Sequence, residues 1–289
     1  MVEDVTRPES YSHSASAGPG EVAVHAIILA GGKGTRLAPY TDDLPKSLIQ
    51  ISEHSILEII AHQLQMSGFT RLTLCVSHLG EMITERMGDG SHFRLEIDYC
   101  WDREPLGTAA PLLLVEDWDT PALVMNCDIL TAVDLGALTA DHLRSGAYMT
   151  VATHRHQVPV DFGVIDSVDG LVHRIREKPR ISLDVSAGIQ VIDPRARECI
   201  PPGERMDMPQ LVAELLGRGH QVRSFHMAEP WHDIGTPTSL HAAKDAVSRS
   251  PERYRLPGAS WPVSIDRHTA LATAGRSGGV PSKLPGLDS

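Results

Sequence analysis

A glycine-rich segment follows the first apolar run of the sequence and could bind phosphate. The run Val24–Ala30 leads directly into Gly31-Gly-Lys-Gly-Thr-Arg-Leu37. Glycines after a buried strand let the backbone approach a polyphosphate closely, and the amides of such a turn form an anion-binding nest. Lys33 and Arg36 add positive charge to it. The segment indicates a nucleotide-phosphate loop, against the alternative of a tight strand exit that carries surface charges.

Two better-known phosphate loops do not fit this segment. A P-loop requires Gly-Lys followed by Ser or Thr, whereas here the lysine lies between the glycines and Gly34 is followed by Thr35. A dinucleotide-binding G-x-G-x-x-G that starts at Gly32 has Leu37 in place of its third glycine. The kinase and ATPase interpretation therefore fails, and an NAD-linked oxidoreductase is disfavoured.

The residues beyond the loop make the pattern more specific. Gly31-Gly-x-Gly-Thr-Arg-Leu-x-Pro39, followed by Pro45-Lys46, resembles the signature of the sugar-1-phosphate nucleotidylyltransferases, also called nucleotide-sugar pyrophosphorylases. The resemblance implies that Arg36 and Lys46 are catalytic residues that contact phosphate oxygens of a nucleoside triphosphate. The loop residues that it implies for nucleotide binding are Ala30, Gly31, Gly32, Lys33, Gly34 and Thr35.

A second segment, Glu104-Pro-Leu-Gly-Thr-Ala109, resembles the loop that holds the nucleobase and sugar in this family. Gly107 would let a flat base approach the backbone closely, and Thr108 could form a hydrogen bond with it. The alternative is a plain loop in which Thr108 caps a helix that starts after it.

Two aspartates provide a candidate magnesium site. Asp128 follows the apolar run Val124-Met-Asn-Cys, at the strand end where ligands bind in open α/β sheets. Asp233, in Trp231-His-Asp-Ile-Gly-Thr-Pro237, resembles the late metal-binding motif of the family. The resemblance implies that both carboxylates hold one Mg²⁺, a cation that prefers oxygen ligands. Either residue alone could instead be a turn residue or a helix N-cap.

The residue before the first aspartate departs from the family pattern. Cys127 stands where the family usually has glycine, which puts the local backbone geometry in doubt but leaves Asp128 in place. A buried, inert thiol is the expected role of Cys127.

The resemblance also implies a site for the sugar phosphate. Glu177 could accept hydrogen bonds from sugar hydroxyls, and Lys178 could neutralise the phosphate as a compact charge. The alternative for this segment is an exposed, salt-bridged turn before Pro179. Ser186-Ala-Gly-Ile189 is expected to form a loop that closes on the sugar. The sugar-binding residues implied are Asn126, Gly163, Glu177 and Gly188, with Lys178 as a further catalytic residue.

The activity that the resemblance implies is the condensation of a nucleoside triphosphate with a sugar 1-phosphate, which gives a nucleotide sugar and pyrophosphate. Several segments look most similar to the mannose-1-phosphate guanylyltransferase branch and its heptose relatives, among them Asp207-Met-Pro209, so GTP is the expected nucleotide. One alternative is the same chemistry with dTTP or UTP and a glucose-type sugar 1-phosphate. Another is a non-catalytic regulatory homologue that only binds nucleotide sugar.

The elements that must position these residues alternate along the chain. Short β-rich segments between amphipathic ones predict a mostly parallel sheet with helices on its faces. The family resemblance implies the Rossmann-like, mixed α/β sheet of nucleotide-diphospho-sugar transferases. The predicted strands are Val24–Leu29, Arg71–Val76, Glu96–Cys100, Ala122–Asn126, Tyr148–Thr153 and Val222–His226. The predicted helices are Ile56–Met66, Gly80–Arg86, Ala109–Val115, Leu135–Arg144, Pro209–Arg218 and Thr238–Ser248.

The composition predicts a soluble, cytoplasmic protein. Hydrophobic residues make up 42% of the 289 residues and charged residues 22%, as in ordinary globular proteins. The net charge of −11 argues against a nucleic-acid partner. Apolar runs such as Ala26–Ala30 are far shorter than the roughly 20 residues of a membrane span, which argues against a membrane protein. Four cysteines without a C-x-x-C pair indicate neither a zinc site nor a disulfide framework.

Composition also divides the chain into three parts. Residues 1–23 are rich in serine and poor in bulky apolar residues, which predicts a disordered tail. Residues 24–247 are expected to form a single nucleotidylyltransferase domain, and residues 248–289 a loose extension rich in proline, glycine and serine. The expected partners are the nucleoside triphosphate and the sugar 1-phosphate, and a homo-oligomer is compatible with the sequence.

Overall fold

Alternating strands and helices organise residues 25–104 and 106–256, which the computed structural model describes. The strands are β1 (His25–Leu29), β2 (Arg71–Val76), β3 (Glu96–Trp101), β4 (Ala122–Asn126), β5 (Ile129–Thr131), β6 (Met149–Pro159), β7 (Val164–Val168), β8 (Leu171–Arg176), β9 (Arg180–Ile192), β10 (Val222–Met227) and β11 (Trp231–Asp233). The α-helices are α1 (Ile56–Met66), α2 (Gly80–Met87), α3 (Leu135–Ser145), α4 (Met208–Gly217) and α5 (Pro237–Arg249).

Seven strands form the central sheet in the order β10-β6-β9-β4-β1-β2-β3. Strand β9 runs antiparallel to both of its neighbours, whereas the other neighbouring strands of this sheet are parallel. Two small antiparallel pairs, β5–β11 and β7–β8, complete the described strands. The expected mixed, mostly parallel α/β sheet is therefore confirmed.

Both faces of the sheet are covered, as parallel sheets require. Ala26 and Ile28 of β1 pack into a cluster with apolar residues of α1, α2, α3 and α5. Ile27, which points to the other face, packs with residues of α4 such as Leu211 and Leu215. This alternation explains why β1 reads as a continuous apolar run, since each face of the strand meets its own layer of helices.

Helix α1 has the bounds that its apolar spacing predicts. Its first turn is fixed by a capping box, in which the Ser55 hydroxyl accepts from the Glu58 amide and the Glu58 carboxylate accepts from the Ser55 amide. Gly68, with φ +88°, follows the C-cap residue Ser67. The capping box Ser55–Glu58 and the glycine are local signals, so this helix is specified by its own sequence.

All six predicted strands are present, but five others were not predicted: β5, β7, β8, β9 and β11. The expectation of a loop at Ser186–Ile189 is wrong, because this segment lies within β9. The pairing of β6 with β9 is irregular here, and Gly188 has φ +71°. A bulge inside a strand uses the same small residues as a turn, and this is why the segment resembles a loop.

The helix expected at Ala109–Val115 is a short 3-10 helix, Ala110–Leu114. Thr108 does not cap it. Its hydroxyl instead accepts a hydrogen bond of 2.8 Å from the amide of Met208, at the start of α4. The expected helix at 209–218 is confirmed as α4, which begins beside this segment.

The packed chain continues beyond the expected domain end at residue 247. Helix α5 runs to Arg249, and Tyr254 and Leu256 are buried in the main apolar cluster. The expected tail 1–23 and the extension beyond Leu256 lie outside the described residues. No helix in the described ranges combines the length and apolarity that a membrane crossing demands.

Candidate functional site

A cavity of about 370 Å³ opens at the carboxyl ends of the central strands. Residues from the ends of four strands line it: Leu29 of β1, Cys75 of β2, Asp102 after β3, and Asn126 of β4. Of the residues predicted for the site, those that line the cavity are Gly31, Gly32, Gly34, Thr35, Arg36, Lys46, Gly107, Thr108, Asn126 and Asp128. Ligands of open α/β sheets bind at this edge.

The glycine-rich loop is held by contacts with neighbouring segments. The Ala30 amide donates to the Cys75 carbonyl at 2.8 Å, which fixes the start of the loop against β2. Gly34 has φ +66°, and a Cβ atom there would lie 3.0 Å from Cγ2 of Thr41. The Thr41 hydroxyl donates to the Gly34 carbonyl at 2.9 Å. Only glycine fits Gly34 without strain, so the loop keeps its shape close to the cavity.

Two cations, Arg36 and Lys46, line the cavity beside the glycine-rich loop. Lys46 begins a short 3-10 helix after Pro45, is only 8% exposed, and forms an ion pair with Asp128. The guanidinium of Arg36 lies beside Gly235, 3.3 Å from the position that a Cβ atom would take there. Ala30 and Lys33, which were also predicted, belong to the same segment but do not line the cavity.

The small sheet β5–β11 brings the two predicted aspartates together. Asp128 lies in the turn between β4 and β5, and Asp233 ends β11, where it pairs with Ile129. The Ile234 amide donates to the Asp128 carbonyl at 2.9 Å. Burial raises the pKa of Asp233, and the nearby Asp128 raises it further, whereas Lys46 and Arg36 lower it. The two carboxyl groups therefore share one electrostatic environment, although they are far apart in sequence.

The chemistry of this pair fits a divalent cation. Oδ1 of Asp128 is buried and has no hydrogen-bond partner, so one hard oxygen is available beside the carboxylate of Asp233. Mg²⁺ is held in proteins by one or two carboxylates together with water and phosphate oxygens. In the described residues, no group of three or more His, Cys, Asp and Glu side chains forms a complete metal site. Two carboxylates would leave coordination positions for substrate phosphate.

The 106–109 segment is clamped onto the start of α4. The Thr108 amide donates to Oδ1 of Asp207 at 3.2 Å, and the Ala109 amide donates to the Met206 carbonyl at 2.9 Å. Gly107 has φ +100°, and a Cβ atom there would lie 2.5 Å from the Met206 carbonyl oxygen. This close backbone contact demands glycine, so the predicted Gly107 has a structural role in addition to lining the cavity.

The residues predicted for the sugar lie in two places. A Cβ atom on Gly188 would lie 2.9 Å from Nδ2 of Asn126, so these two residues meet beside the cavity. Gly163 and Glu177 face each other at the base of the β7–β8 hairpin, where Oε2 of Glu177 is 3.2 Å from the Cβ position of Gly163. Glu177 and Lys178 are exposed and do not line the cavity.

Three charged residues that line the cavity, Asp102, Arg205 and Asp207, were not predicted for the site. Asp102 follows β3 as Asp128 follows β4, so the same rule of a carboxylate after an apolar strand could have found it. Asp207 is the N-cap residue of α4 and forms a capping box. This local signal predicts the start of a helix but does not predict a cavity. Cys127 also lines the cavity, and burial raises its pKa to about 12, as an inert thiol requires.

The chain matches a known protein family over most of its length. Residues 25–250 match the family described as "Nucleotidyl transferase". A UTP–glucose-1-phosphate uridylyltransferase of Synechocystis sp. is 29% identical over 81% of this chain, and a mannose-1-phosphate guanyltransferase of Schizosaccharomyces pombe is 30% identical over 73%. The chain spans 66% and 61% of the lengths of these two relatives.

The fold also matches a solved structure. A Bacillus anthracis protein crystallised with sucrose and named as a glucose-1-phosphate thymidylyltransferase superposes with a TM-score of 0.64 at 24% sequence identity. The match covers 78% of this chain and 95% of that one.

Proposed function

Since the chain belongs to the nucleotidyl transferase family, we propose that it transfers a nucleotidyl group from a nucleoside triphosphate to a sugar 1-phosphate. An oxygen of the sugar phosphate forms a bond to the α-phosphorus, the bond from that phosphorus to the bridging oxygen breaks, and pyrophosphate leaves with the electron pair. The observation that carries the proposal is that the glycine loop, Arg36, Lys46 and Asp128 line one cavity, and that Asp233 lies beside it at Gly235.

The chain's own residues supply binding and charge in this reaction. The loop amides and Arg36 would hold the triphosphate, and Lys46 would contact its oxygens once it leaves Asp128. The attacking phosphate oxygen is already an anion, so no general base is needed. Catalysis is then a matter of bringing two anions together and stabilising the charge that develops at the α-phosphorus.

Magnesium would be held by Asp128 and Asp233. When bound, it would neutralise part of the triphosphate charge and favour departure of pyrophosphate. The unpartnered Oδ1 of Asp128 and the carboxylate of Asp233 support this assignment.

We further infer that the nucleotide is GTP. Asp102 lines the cavity at the end of β3, and two strands, β1 and β2, separate it from the strand that precedes Asp128. Three strand spacings correspond to about 14 Å, which puts Asp102 at the opposite end of the cavity from the aspartate pair. A carboxylate accepts two hydrogen bonds, and guanine offers two adjacent donors, its N1–H and its 2-amino group.

Uracil and thymine offer one donor between two acceptors, and these acceptors would face the carboxylate of Asp102 unfavourably. The guanylyl name of one relative supports GTP, whereas the uridylyl name of the other keeps UTP as the alternative. The sugar that we propose is a mannose- or heptose-type 1-phosphate, with Asn126, Gly163, Glu177 and Gly188 around its ring and Lys178 at its phosphate.

The test is pyrophosphate release by the purified full chain with Mg²⁺, five nucleoside triphosphates and a panel of mannose, heptose and glucose 1-phosphates. We expect turnover with GTP and a mannose-type sugar phosphate. Asp128→Asn and Asp233→Asn should abolish turnover while circular dichroism stays unchanged, and the exposed Asp245→Asn should retain it. Turnover only with UTP or dTTP would overturn the base assignment. Nucleotide-sugar binding without turnover for any pair would favour a regulatory binder.

A further inference from the structure

Lys46 interacts with both aspartates of the candidate metal site, Asp128 and Asp233. Its side chain is almost fully enclosed, and its ammonium group contacts Oδ2 of Asp128. The other oxygen of Asp128, Oδ1, has no partner. Lys46 also acts on Asp233, because it is one of the two cations that lower the pKa of that carboxyl.

Lys46 is at the same time packed against the phosphate loop. A Cβ atom built on Gly34 would lie 3.2 Å from Cβ of Lys46, so the base of the lysine side chain adjoins the glycine loop. A lysine carries a compact charge on a flexible stem of four carbons, which can rotate about a fixed base. From this position the ammonium group can face either Asp128 or a phosphate held by the loop.

We propose that Lys46 is an internal counter-ion that occupies a metal-binding oxygen of Asp128 until nucleotide phosphate draws it away. The proposal rests on the nucleotidylyl-transfer function of the site. With Lys46 on Asp128, the two carboxylates hold a cation weakly, since one oxygen is engaged and a positive charge lies beside the pair. With Lys46 on a phosphate, both carboxylates are free to hold a metal.

This arrangement couples two binding events. A ligand that removes Lys46 from Asp128 raises the affinity of the pair for a divalent cation, and by linkage the cation raises the affinity for that ligand by the same factor. Metal and nucleotide then enter the site together, and the buried carboxylates are never left without a compensating charge.

The experiment measures Mn²⁺ binding to the full chain by electron paramagnetic resonance, with Mn²⁺ alone and then with GTP and no sugar phosphate. The wild-type protein should bind Mn²⁺ weakly alone and about 10-fold or more tightly with GTP. Lys46→Met should bind Mn²⁺ alone about 10-fold more tightly than the wild type, and GTP should add little. Lys46→Arg, which keeps the charge, should not tighten Mn²⁺ binding.

Lys33→Met is the matched control, because it removes the same charge from the neighbouring loop, where Lys33 has no ion pair among the described residues. Equal tightening in Lys33→Met and Lys46→Met would show a general charge effect and overturn the proposal, as would unchanged Mn²⁺ affinity in Lys46→Met. A protein that shows the predicted Mn²⁺ pattern but releases no pyrophosphate would refute the transfer reaction and leave the counter-ion role standing.

Thermal unfolding is a second measurement, which tests the proposal even if Lys46→Met folds poorly. Lys46→Met in EDTA should unfold at a lower temperature than the wild type, since it leaves two carboxylates without their lysine. Addition of Mn²⁺ should raise the melting temperature of this variant by more than it raises that of the wild type. A variant destabilised equally with and without Mn²⁺ would contradict the proposal.

Discussion

The carboxyl groups of Asp233 and Asp102 have different electrostatic surroundings. Burial and the nearby Asp128 raise the pKa of Asp233, whereas two cations, Lys46 and Arg36, lower it. Burial also raises the pKa of Asp102, but within the described chain the other influences on it are the Glu104 amide, which lowers it, and the Glu104 carboxylate, which raises it. A buried carboxylate with no cation among these influences gains most from donors that a ligand brings.

Asp102→Asn should therefore change base selection. The asparagine side chain keeps one hydrogen-bond acceptor, its carbonyl oxygen, but has an NH₂ donor in place of the second carboxylate oxygen. One of the two guanine donors, N1–H or the 2-amino group, then faces this donor instead of an acceptor. We expect kcat/KM for GTP to fall about 10- to 100-fold, which is the usual value of a hydrogen bond to a charged group. The ratio of UTP to GTP turnover should rise, as measured by pyrophosphate release with each nucleotide.

Inosine triphosphate, which lacks the 2-amino group, tests the same contact from the ligand side. The wild type should prefer GTP to it, and Asp102→Asn should lose that preference. The neighbouring Glu104→Gln is the control, because Glu104 is exposed and does not line the cavity. A GTP preference that survives in Asp102→Asn would refute base recognition by this residue.

A buried histidine outside the cavity makes stability depend on pH. His25 is 4% exposed, and its Nε2 lies 2.8 Å from the hydroxyl of Thr73. Burial, reinforced by the charge of Arg71, lowers the pKa of His25 from 6.5 to about 4. Between these two values the unfolded chain binds a proton that the folded protein does not bind, so the free energy of unfolding falls as the pH decreases.

His25→Gln should remove this contribution. Comparing urea unfolding at about pH 7 and about pH 4.5, we expect the wild type to lose about 2–3 kcal/mol more than His25→Gln. The exposed His78→Gln should keep the pH dependence of the wild type. Identical pH profiles for wild type and His25→Gln would contradict the assignment.

At the scale of elements, the 106–109 segment depends on α4 for its position. Its amides are held by Asp207 and the Met206 carbonyl, and the Thr108 hydroxyl in turn accepts from the first amide of the helix. These hydrogen bonds join the segment to the helix, although about 100 residues separate them in sequence. The shape of this part of the cavity is therefore set by a tertiary contact.

Gly107→Ala should disturb this contact, because its Cβ atom would meet the Met206 carbonyl oxygen at 2.5 Å. We expect a loss of about 1–3 kcal/mol in the free energy of unfolding, and a GTP affinity about 10-fold weaker by isothermal titration calorimetry without sugar phosphate.

Gly146→Ala is the matched control for this change. Gly146 also has a positive φ, +64°, but no atom lies within 4 Å of its Cβ position. Gly146→Ala should lower the free energy of unfolding by about 1 kcal/mol and leave the GTP affinity unchanged. Equal GTP affinities in Gly107→Ala and the wild type would show that the segment does not shape the nucleotide site.

The elements that the sequence predicts are those with local signals. The capping box and apolar spacing of α1 specify its bounds, and the apolar run of β1 with the glycines after it predicts both a buried strand and the loop at its end. Strand β9 was missed because its outer half is exposed and its inner half contains the Gly188 bulge. Asp128 was found from its place after β4, whereas the clamp formed by Asp207 depends on tertiary packing.

At the scale of the whole molecule, segments far apart in sequence meet near Asp128 and Asp233. Gln63 of α1 is buried, and its Nε2 donates to the Thr131 carbonyl at 2.8 Å and to the Tyr254 carbonyl at 2.7 Å. Thr131 belongs to β5, which pairs with the strand that ends in Asp233. The hydroxyl of Tyr254 lies 2.9 Å from Nε2 of His232, beside that aspartate. One amide group thus joins α1, β5 and the residues after α5.

Gln63→Leu keeps the volume and the helix but removes both hydrogen bonds, so two buried carbonyl oxygens lose their donor. Leaving such groups without a partner costs about 1–3 kcal/mol each, and we expect the free energy of unfolding in urea to fall by about 2–4 kcal/mol. Gln65→Leu, the same change two residues along α1 at a half-buried position, should alter it by about 0.5 kcal/mol or less. If both variants lost the same stability, Gln63 would not join these segments, and the packing of Tyr254 alone would have to hold the chain after α5 against the domain.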